Sequence, residues 1–569
     1  MKSFSFRLLA TTAIAIAAVP AAAQMGPFDP ARLSTIDKTI SDDSFEGRGP
    51  GTRAETKTIN YIADAFKAAG VQPGGDMVNG QRSWFQNVPL LQSSWADAPK
   101  MTLSLAGKDV LLTQGEQIAA RAPMTGVKGL DLNHVQLVFA GYGVKAPERN
   151  WDDFKGQDMH GKIMVVLVND PDFEGGEGDF GGKAMTYYGR WTYKYEEGAR
   201  QGADGVLVIH ETEPASYGWN TVKNSNTNTM FDIVRQDATA KHPPLEGWIQ
   251  KSLAEQIFAA SGTSFDAMKA AAKKKDFKPV PLKAALSLNG AANVQVITSH
   301  NVVGWLPGKT HPDETVIYSA HWDHLGIGKP DETGDTIYNG ALDNATGISQ
   351  LIEQARVFAK EPRTDRSIVF LAVTAEEKGL LGSEYYAQNP LFPAAKTAGV
   401  INTDGGSIYG PAKNFTISGN AKLGLLDMLI AEGKKQGRYY TPDPHPEAGY
   451  FYRSDHFPFA KIGVPAISFG DGNDLVKGGV KRGEELSDIY TDKHYHQPSD
   501  EWSADWDFTG MAQDANMLHN LGRDLANSRA WPNWSADSEF RAARDASAAE
   551  RGQTPVVAPG PPPSKGDRG

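Results

Sequence analysis

The sequence of 569 residues contains no cysteine. Disulfides, cysteine-ligated zinc, iron–sulfur clusters and a thiol nucleophile are therefore all excluded. The sequence also lacks a basic excess, because 57 Lys and Arg stand against 68 Asp and Glu, for a formal net charge of −11. Such a balance predicts no nucleic-acid partner. Two enzyme signatures are missing as well, the G-x-S-x-G elbow of serine hydrolases and the H-E-x-x-H zinc helix.

Long apolar runs are absent except at the N-terminus. There, Lys2 and Arg7 precede an apolar stretch over residues 8–19, and three alanines follow at 21–23. This order predicts a secretory signal peptide over residues 1–23, since the run is too short for a comfortable membrane span. We expect an exported protein without a stable membrane span, secreted or, in a Gram-negative host, periplasmic.

Changes in composition divide the remaining chain into four segments. Short apolar runs between glycine-rich and acidic turns predict a small β-rich domain over residues 120–285. Over residues 286–530, strand and helix patterns alternate, which predicts an α/β fold with a mostly parallel central sheet flanked by helices. We expect residues 24–119 to complete that α/β domain. The Ala- and Pro-rich residues 531–569 are predicted to form a disordered tail.

Potential metal ligands follow the predicted parallel strands. His321 comes directly after one strand, Glu376 and Glu377 follow the next, and Asp404 follows a third. In open α/β sheets, ligands bind beyond the carboxyl ends of the strands, so one crevice could gather these side chains. Asp343 precedes a predicted helix, a position that is also typical of an ordinary N-cap.

The charge of this set favours two metal ions over one. Several carboxylates in one crevice repel one another, and cations remove that repulsion. Imidazole with carboxylate suits zinc, and two zinc ions are neutralised by three carboxylates and one hydroxide if the histidines are neutral. The candidate ligands are His321, Asp343, Glu377, Asp404 and His496. Glu376 is then left as a general base, and Asp323 could accept the second imidazole N–H of His321.

The segments that contain these residues resemble the dinuclear zinc aminopeptidase family, which also includes glutamate carboxypeptidase and the transferrin receptor. The similar stretches, in family order, are "SAHWDHLG", "NGALDNATG", "TAEEKGLLGSEYY", "NTDGG", "RSDHFPFAKIGVPAISF" and "YHQPSD". The resemblance covers most of residues 31–525. Within 120–285, "FAGYGVKAP", "HGKIMVVLVND" and "GADGVLVIHE" resemble strands of the protease-associated domain that many members insert before the metal segment.

The resemblance implies specific roles for the ligands. His321 and Asp404 would hold one zinc ion, and Glu377 and His496 the other. Asp343 would bridge the two ions. Manganese or cobalt in place of zinc is not excluded, because metal availability also decides which ion is bound.

The resemblance also implies the reaction. Glu376 would be the general acid/base, acting on a bridging water, and Asp323 would orient His321. Tyr495 would stabilise the oxyanion, and Arg453 would lie near the substrate. We therefore expect an exported metal-dependent exopeptidase, and the favoured activity is that of an aminopeptidase, which removes N-terminal residues from peptides.

Two alternatives remain open at this point. A carboxypeptidase or a glutaminyl cyclase of the same family would use the same fold. A receptor-like protein without activity is less favoured, because all five expected ligands and the base are present. Some relatives dimerise, so a homodimer is also open.

Overall fold

The computed structural model describes residues 25–536 and 538–553. The predicted signal peptide, residues 1–23, lies outside the described residues, as do residues 554–569 of the predicted tail. Within the described part, no helix has the length and apolar character needed to cross a membrane.

The described chain alternates between strands and helices. The strands of three or more residues are β1 Phe85–Trp95, β2 Lys100–Leu105, β3 Lys108–Leu112, β4 Ile118–Ala120, β5 Gly129–Phe139, β6 Lys162–Leu167, β7 Gly205–His210, β8 Met230–Ile233, β9 Leu245–Gln250, β10 Val280–Leu306, β11 His311–His321, β12 Arg366–Val373, β13 Thr397–Thr403, β14 Asn414–Ile417 and β15 Ala466–Gly470. The α-helices are α1 Pro30–Ile40, α2 Arg53–Ala69, α3 Trp191–Arg200, α4 Thr212–Ala215, α5 Trp219–Asn226, α6 Lys251–Ala260, α7 Phe265–Ala272, α8 Thr346–Lys360, α9 Leu381–Gln388, α10 Gly424–Lys435, α11 His456–Lys461, α12 Gly479–Lys493, α13 Thr509–Asn527 and α14 Arg541–Ala546.

The larger body of the molecule is built on a mixed sheet. Its strand order is β8–β1–β10–β12–β11–β13–β15–β14. The central strands β12, β11, β13 and β15 are parallel, and antiparallel strands flank them. Every residue of β12 and β13 is buried, as parallel strands covered on both faces should be. The predicted fold class, an α/β fold with a central sheet flanked by helices, is confirmed, and the parallel arrangement holds for the four central strands.

Helices cover the sheet through the apolar faces that their sequences predict. Ile59, Ile62 and Phe66 on α2 are spaced three or four residues apart, and all three are buried in the core. On α8, Ile348 and Leu351 enter the same core. The start of α8 is thereby fixed against the sheet, directly after the loop that carries Asp343.

A second body, residues 100–291 apart from β8, is built on its own sheet. Its strand order is β3–β2–β10–β5–β6–β7–β9–β4, with β5, β6, β7 and β9 parallel. The 27-residue strand β10 belongs to both sheets. Its residues 284–289 pair with β2, whereas residues 292–302 pair with β1 of the larger body.

The boundaries of the second body differ from those expected. Strands β2 and β3 precede residue 120, yet they pair within the second body because β10 extends the sheet toward them. In the opposite sense, β8 lies between 120 and 285 but pairs with β1 of the larger body. The connection between the two bodies therefore runs through hydrogen-bonded strands rather than through a linker.

The predicted tail also differs in its first part. Residues 531–536 and 538–553 are structured, with Trp534 only 1% exposed and α14 following it. Phe540 stacks on Phe451 of the larger body, with ring centroids 5.6 Å apart. The aromatic residues within this Ala-rich stretch supply apolar surface, so its composition alone was misleading.

Candidate metal centre

The carboxyl ends of three neighbouring strands bring the candidate ligands together. β11 ends at His321, which is paired in parallel register with Val373 at the end of β12. After β12 the chain turns at Ala375, whose φ of 53° is left-handed, into Glu376 and Glu377. β13 ends directly before Asp404. All these side chains therefore face the same edge of the sheet, as expected from the strand-end rule.

One group of ligands forms around His321. Its Nε2 lies 3.1 Å from Asp404 Oδ1 and 3.2 Å from Asp343 Oδ1. His321 is 1% exposed, so this imidazole is held in a dry environment. Burial opposes a charge on it, but Asp404 and Glu376 outweigh that effect and raise the pKa of His321 well above its usual value.

A second group forms around His496. Its Nε2 lies 2.9 Å from Glu377 Oε2 and 3.3 Å from Asp343 Oδ2. The two oxygens of Asp343 are therefore directed at two different imidazoles. The peptide bond between Asp343 and Asn344 is cis. Asn344 donates to the carbonyl oxygen of Thr403 over 3.0 Å, which ties the Asp343 loop to the end of β13.

His324 joins the second group, although the sequence favours a structural role for it over a ligand role. Its Nδ1 lies 2.6 Å from Glu377 Oε1, and its ring meets that of His496 edge-on with centroids 5.6 Å apart. The side chain is fully buried. The only signal in the sequence was its place in "HWDHLG", three residues after His321. Two other histidines have different neighbours: the His456 ring packs edge-on against Phe451, and His494 Nδ1 lies 3.1 Å from the Ser499 carbonyl oxygen.

The donor set fits divalent metal ions such as zinc. Among the described residues, His321, Asp343 and Asp404 form one group able to hold an ion, and His324, Asp343 and Glu377 form another. Two buried atoms of the cluster, Glu377 Oε1 and His496 Nε2, lie within 2.6 and 2.9 Å of other ligand atoms without meeting hydrogen-bond geometry. Nitrogen and carboxylate oxygen are the ligands that zinc prefers in cysteine-free sites.

The Asp323 carboxylate holds the turn that follows β12 and carries Glu376 and Glu377. Its Oδ1 accepts a hydrogen bond from the Glu376 amide over 3.0 Å, and its Oδ2 one from the Glu377 amide over 3.4 Å. The His321 Nδ1 lies closer to the Asp323 carbonyl oxygen, at 3.1 Å, than to its carboxylate, at 3.8 Å. The expected imidazole contact is therefore made by the backbone, while the carboxylate holds the Glu376–Glu377 turn.

Glu376 faces the cavity beside the cluster. Burial raises the pKa of this carboxyl well above its usual value; His321 opposes that rise, and Asp404 adds to it. A carboxylate with a raised pKa is a better proton acceptor near neutral pH.

Tyr495 and Arg453 share the same cavity. Arg453 Nη2 donates to Tyr495 Oη over 3.4 Å, and the Tyr495 ring lies 3.9 Å from the His496 ring between centroids. The cavity has a volume of about 660 Å³ and is lined by both bodies of the molecule. The phenol and the guanidinium therefore lie one side chain away from the ligand set.

Arg190 was missed by the sequence reasoning. It lines the same cavity from the second body and is only 8% exposed. Its Nε has no hydrogen-bond partner within the described chain. Burial and the neighbouring Arg453 lower the pKa of Arg190 to about 10, so it remains charged at neutral pH. No sequence motif marks this arginine, and only the fold brings it to Arg453.

The chain is similar to known peptidases. Residues 301–518 match the profile of Peptidase family M28. Over 441 residues, the chain is 26% identical to Aminopeptidase YwaD of Bacillus subtilis (strain 168), covering 76% of this chain and 70% of that protein. A 104-residue stretch is 38% identical to a probable zinc metalloprotease of Pyricularia oryzae, spanning 18% of this chain and 20% of that one.

A solved structure shares the fold. The aminopeptidase from Aneurinibacillus sp. strain AM-1 superposes with a TM-score of 0.53 at 19% identity, over 89% of this chain and 96% of that one. The match supports the α/β architecture described above.

Proposed function

We propose that this chain is a zinc metallopeptidase, an aminopeptidase with two metal positions, because residues 301–518 match the profile of Peptidase family M28. The proposal rests on the two carboxylate oxygens of Asp343, which face different imidazoles: Oδ1 is directed at His321 and Oδ2 at His496. One carboxylate shared between two ligand groups is what paired metal ions about 3.5–4 Å apart require.

The orientation of the two Asp343 oxygens indicates which residues would hold each ion. His321 and Asp404 would bind one zinc ion, Glu377 and His496 the other, and Asp343 both. When bound, zinc supplies positive charge that polarises the scissile carbonyl and lowers the pKa of water.

The protein's own groups would carry the proton and hold the substrate. Glu376 accepts a proton from the water that attacks the carbonyl carbon. As the C–N bond breaks, Glu376 returns that proton to the leaving amine, so that it is regenerated as a carboxylate. The Tyr495 hydroxyl donates to the oxygen on which negative charge develops, and Arg453 orients Tyr495.

We further propose that the protein is exported through residues 1–23 and that the second body acts as a protease-associated domain. The cavity walls that the second body supplies would narrow access to the cluster, favouring peptide ends over folded proteins.

A carboxypeptidase is the second candidate, and Arg190 is the observation that favours it. Arg190 and Arg453 line one cavity; Arg190 Nε has no hydrogen-bond partner in the described chain, and Arg453 donates to the neutral hydroxyls of Ser216 and Tyr495. Paired guanidinium groups are suited to bind a free C-terminal carboxylate.

One experiment separates the candidates. Mature protein, with zinc or after chelation, is incubated with a peptide, its N-acetylated form and its C-terminal amide, and the products are followed by mass spectrometry. We expect stepwise loss from the free N-terminus, abolished by acetylation and by chelation. Loss from the C-terminus, abolished by amidation, would instead establish the carboxypeptidase. No cleavage of any of the three peptides would contradict both.

A further inference from the structure

Helix α5 of the second body reaches directly into the metal cluster. Ser225 Oγ lies 2.8 Å from His496 Nδ1. The neighbouring Asn224 donates to the His496 carbonyl oxygen over 3.1 Å and to Gln497 Oε1 over 3.1 Å. Both the ring and the backbone of His496 are therefore held by residues of a different body from the one that carries His496.

The turn after α5 braces the neighbouring ligand. Lys378, the residue after Glu377, donates from Nζ to Asn228 Oδ1 over 2.7 Å. Lys378 is 6% exposed, so this bond is shielded from water. The segment 224–228 thus contacts both chain segments that supply the second ligand group.

The geometry determines the direction of the Ser225 bond. His496 Nε2 faces Glu377 and Asp343 at 2.9 and 3.3 Å, so Nδ1 is the nitrogen left to carry the hydrogen when Nε2 binds a cation. Ser225 Oγ then accepts that N–H. A hydrogen bond to the second nitrogen of a ligating histidine fixes its tautomer and its ring orientation.

The first ligand group is supported from within the larger body. His321 Nδ1 lies 3.1 Å from the Asp323 carbonyl oxygen, and its Nε2 lies 3.1 Å from Asp404 and 3.2 Å from Asp343. All four of these residues belong to the larger body. The second body therefore supports the second ligand group, whereas the larger body supports the first.

We propose that Ser225 is a positioning residue for one of the two metal ions, so that the second body is a structural part of the metal centre and not only a wall of the cleft. This inference rests on the proposed role of His496 as a ligand. The ligands of the ion held by Glu377 and His496 would be positioned by residues of both bodies. The ligands of the ion held by His321 and Asp404 would be positioned by the larger body alone.

Zinc binding by the full-length mature protein tests the inference without any peptide substrate. Metal-free protein is titrated with zinc against a chromophoric chelator, and bound ions are counted by native mass spectrometry. Ser225→Ala should bind one ion 10–100-fold more weakly and the other with unchanged affinity. Ser225→Thr, which keeps the hydroxyl, should bind both ions as the wild type does.

A second variant and a control keep the test decisive. Asn224→Ala, which removes the bond to the His496 backbone, should weaken the same ion even if Ser225→Ala does not fold. Ser264→Ala removes the helix cap whose Oγ accepts from the Ala267 amide at 3.2 Å, and should lower the thermal midpoint without changing zinc affinity.

The outcomes separate this inference from the proposed function. Wild-type affinity for two ions in Ser225→Ala, or an equal loss at both ions, would overturn the inference alone. A wild-type protein that binds no zinc would overturn the two-metal centre, and the inference with it.

Discussion

Asp500 Oδ2 accepts a hydrogen bond from the backbone amide of Asp343 over 3.1 Å. Its Oδ1 accepts a second one from the amide of Leu342 over 2.9 Å. Asp500 is 2% exposed and lies four residues after His496. One short loop therefore supplies a candidate ligand and also fixes the backbone of the carboxylate shared by both ligand groups.

Removing the Asp500 carboxylate should loosen Asp343. Asp500→Ala leaves the buried Asp343 amide unpaired, which costs about 1–3 kcal/mol, and also the half-buried Leu342 amide. We expect a lower free energy of unfolding and zinc affinity reduced 10–100-fold. Asp500→Asn, which keeps one acceptor oxygen, should fall between Ala and wild type. Denaturant unfolding and chelator competition measure both effects; wild-type zinc affinity in Asp500→Ala would contradict this role.

Glu376→Gln should keep the metal and lose turnover. An amide cannot accept the proton from the attacking water, and general-base catalysis contributes about 10²–10⁴-fold. We expect kcat to fall by that factor while two zinc ions per chain remain. As a matched control, Glu361→Gln changes a carboxylate that pairs with Arg523 and should leave kcat unchanged. Full activity in Glu376→Gln would show that another group is the base.

Asp343→Ala should lose both ions, whereas His496→Ala should lose only one. The expectation follows from the two oxygens of Asp343, which lie 3.2 and 3.3 Å from different imidazoles. Zinc per chain is measured by elemental analysis after gel filtration. If the Asp343→Ala protein still holds two ions, the bridging assignment is wrong.

The sequence could indicate the ligand cluster because its members follow parallel strands. His321, Glu377 and Asp404 occupy strand ends, and adjacent parallel strands place those ends together. Their roles as ligands stay predictions, but their proximity in the fold follows from a rule that needs only the order of strands.

The supporting contacts could not be predicted in the same way. Arg48 is fully buried and donates to the carbonyl oxygens of Trp322, Asn339 and Gly340, thereby joining the His321 loop to the Asp343 loop. In the sequence it is one basic residue in a glycine-rich segment. Its partners lie 274 to 292 positions away, and no local pattern encodes contacts at such separations.

The boundaries of the second body could not be predicted from the sequence for a related reason. Strand patterns locate strands but not their partners, and β10 continues without a break from one sheet into the other. The shared strand removes the change of composition that would mark a boundary.

A buried charge network joins the two bodies beside the cavity. His242 Nδ1 lies 2.6 Å from Glu246 Oε1, and its Nε2 lies 2.8 Å from Asp232 Oδ2 on β8. Arg235 pairs with Asp232 at 2.6 Å and with Glu384 of α9 at 3.0 Å. Glu246 also pairs with Arg121 at 2.7 Å. The imidazole thus lies between two carboxylates, each of which has a further basic partner.

The stability of the protein should fall at alkaline pH because of His242. Burial disfavours its charge, but Glu246 and Asp232 outweigh that cost and raise the pKa of His242 to about 9. Since the folded pKa exceeds the unfolded value near 6.5, the stabilisation is complete below pH 6.5 and is lost as pH rises through 9. The difference corresponds to on the order of 3 kcal/mol. Urea unfolding at pH 6 and pH 9.5 should show this loss in the wild type and a smaller one in His242→Gln. Equal losses in both proteins would mean that His242 is not the group responsible, since the variant has no imidazole to titrate.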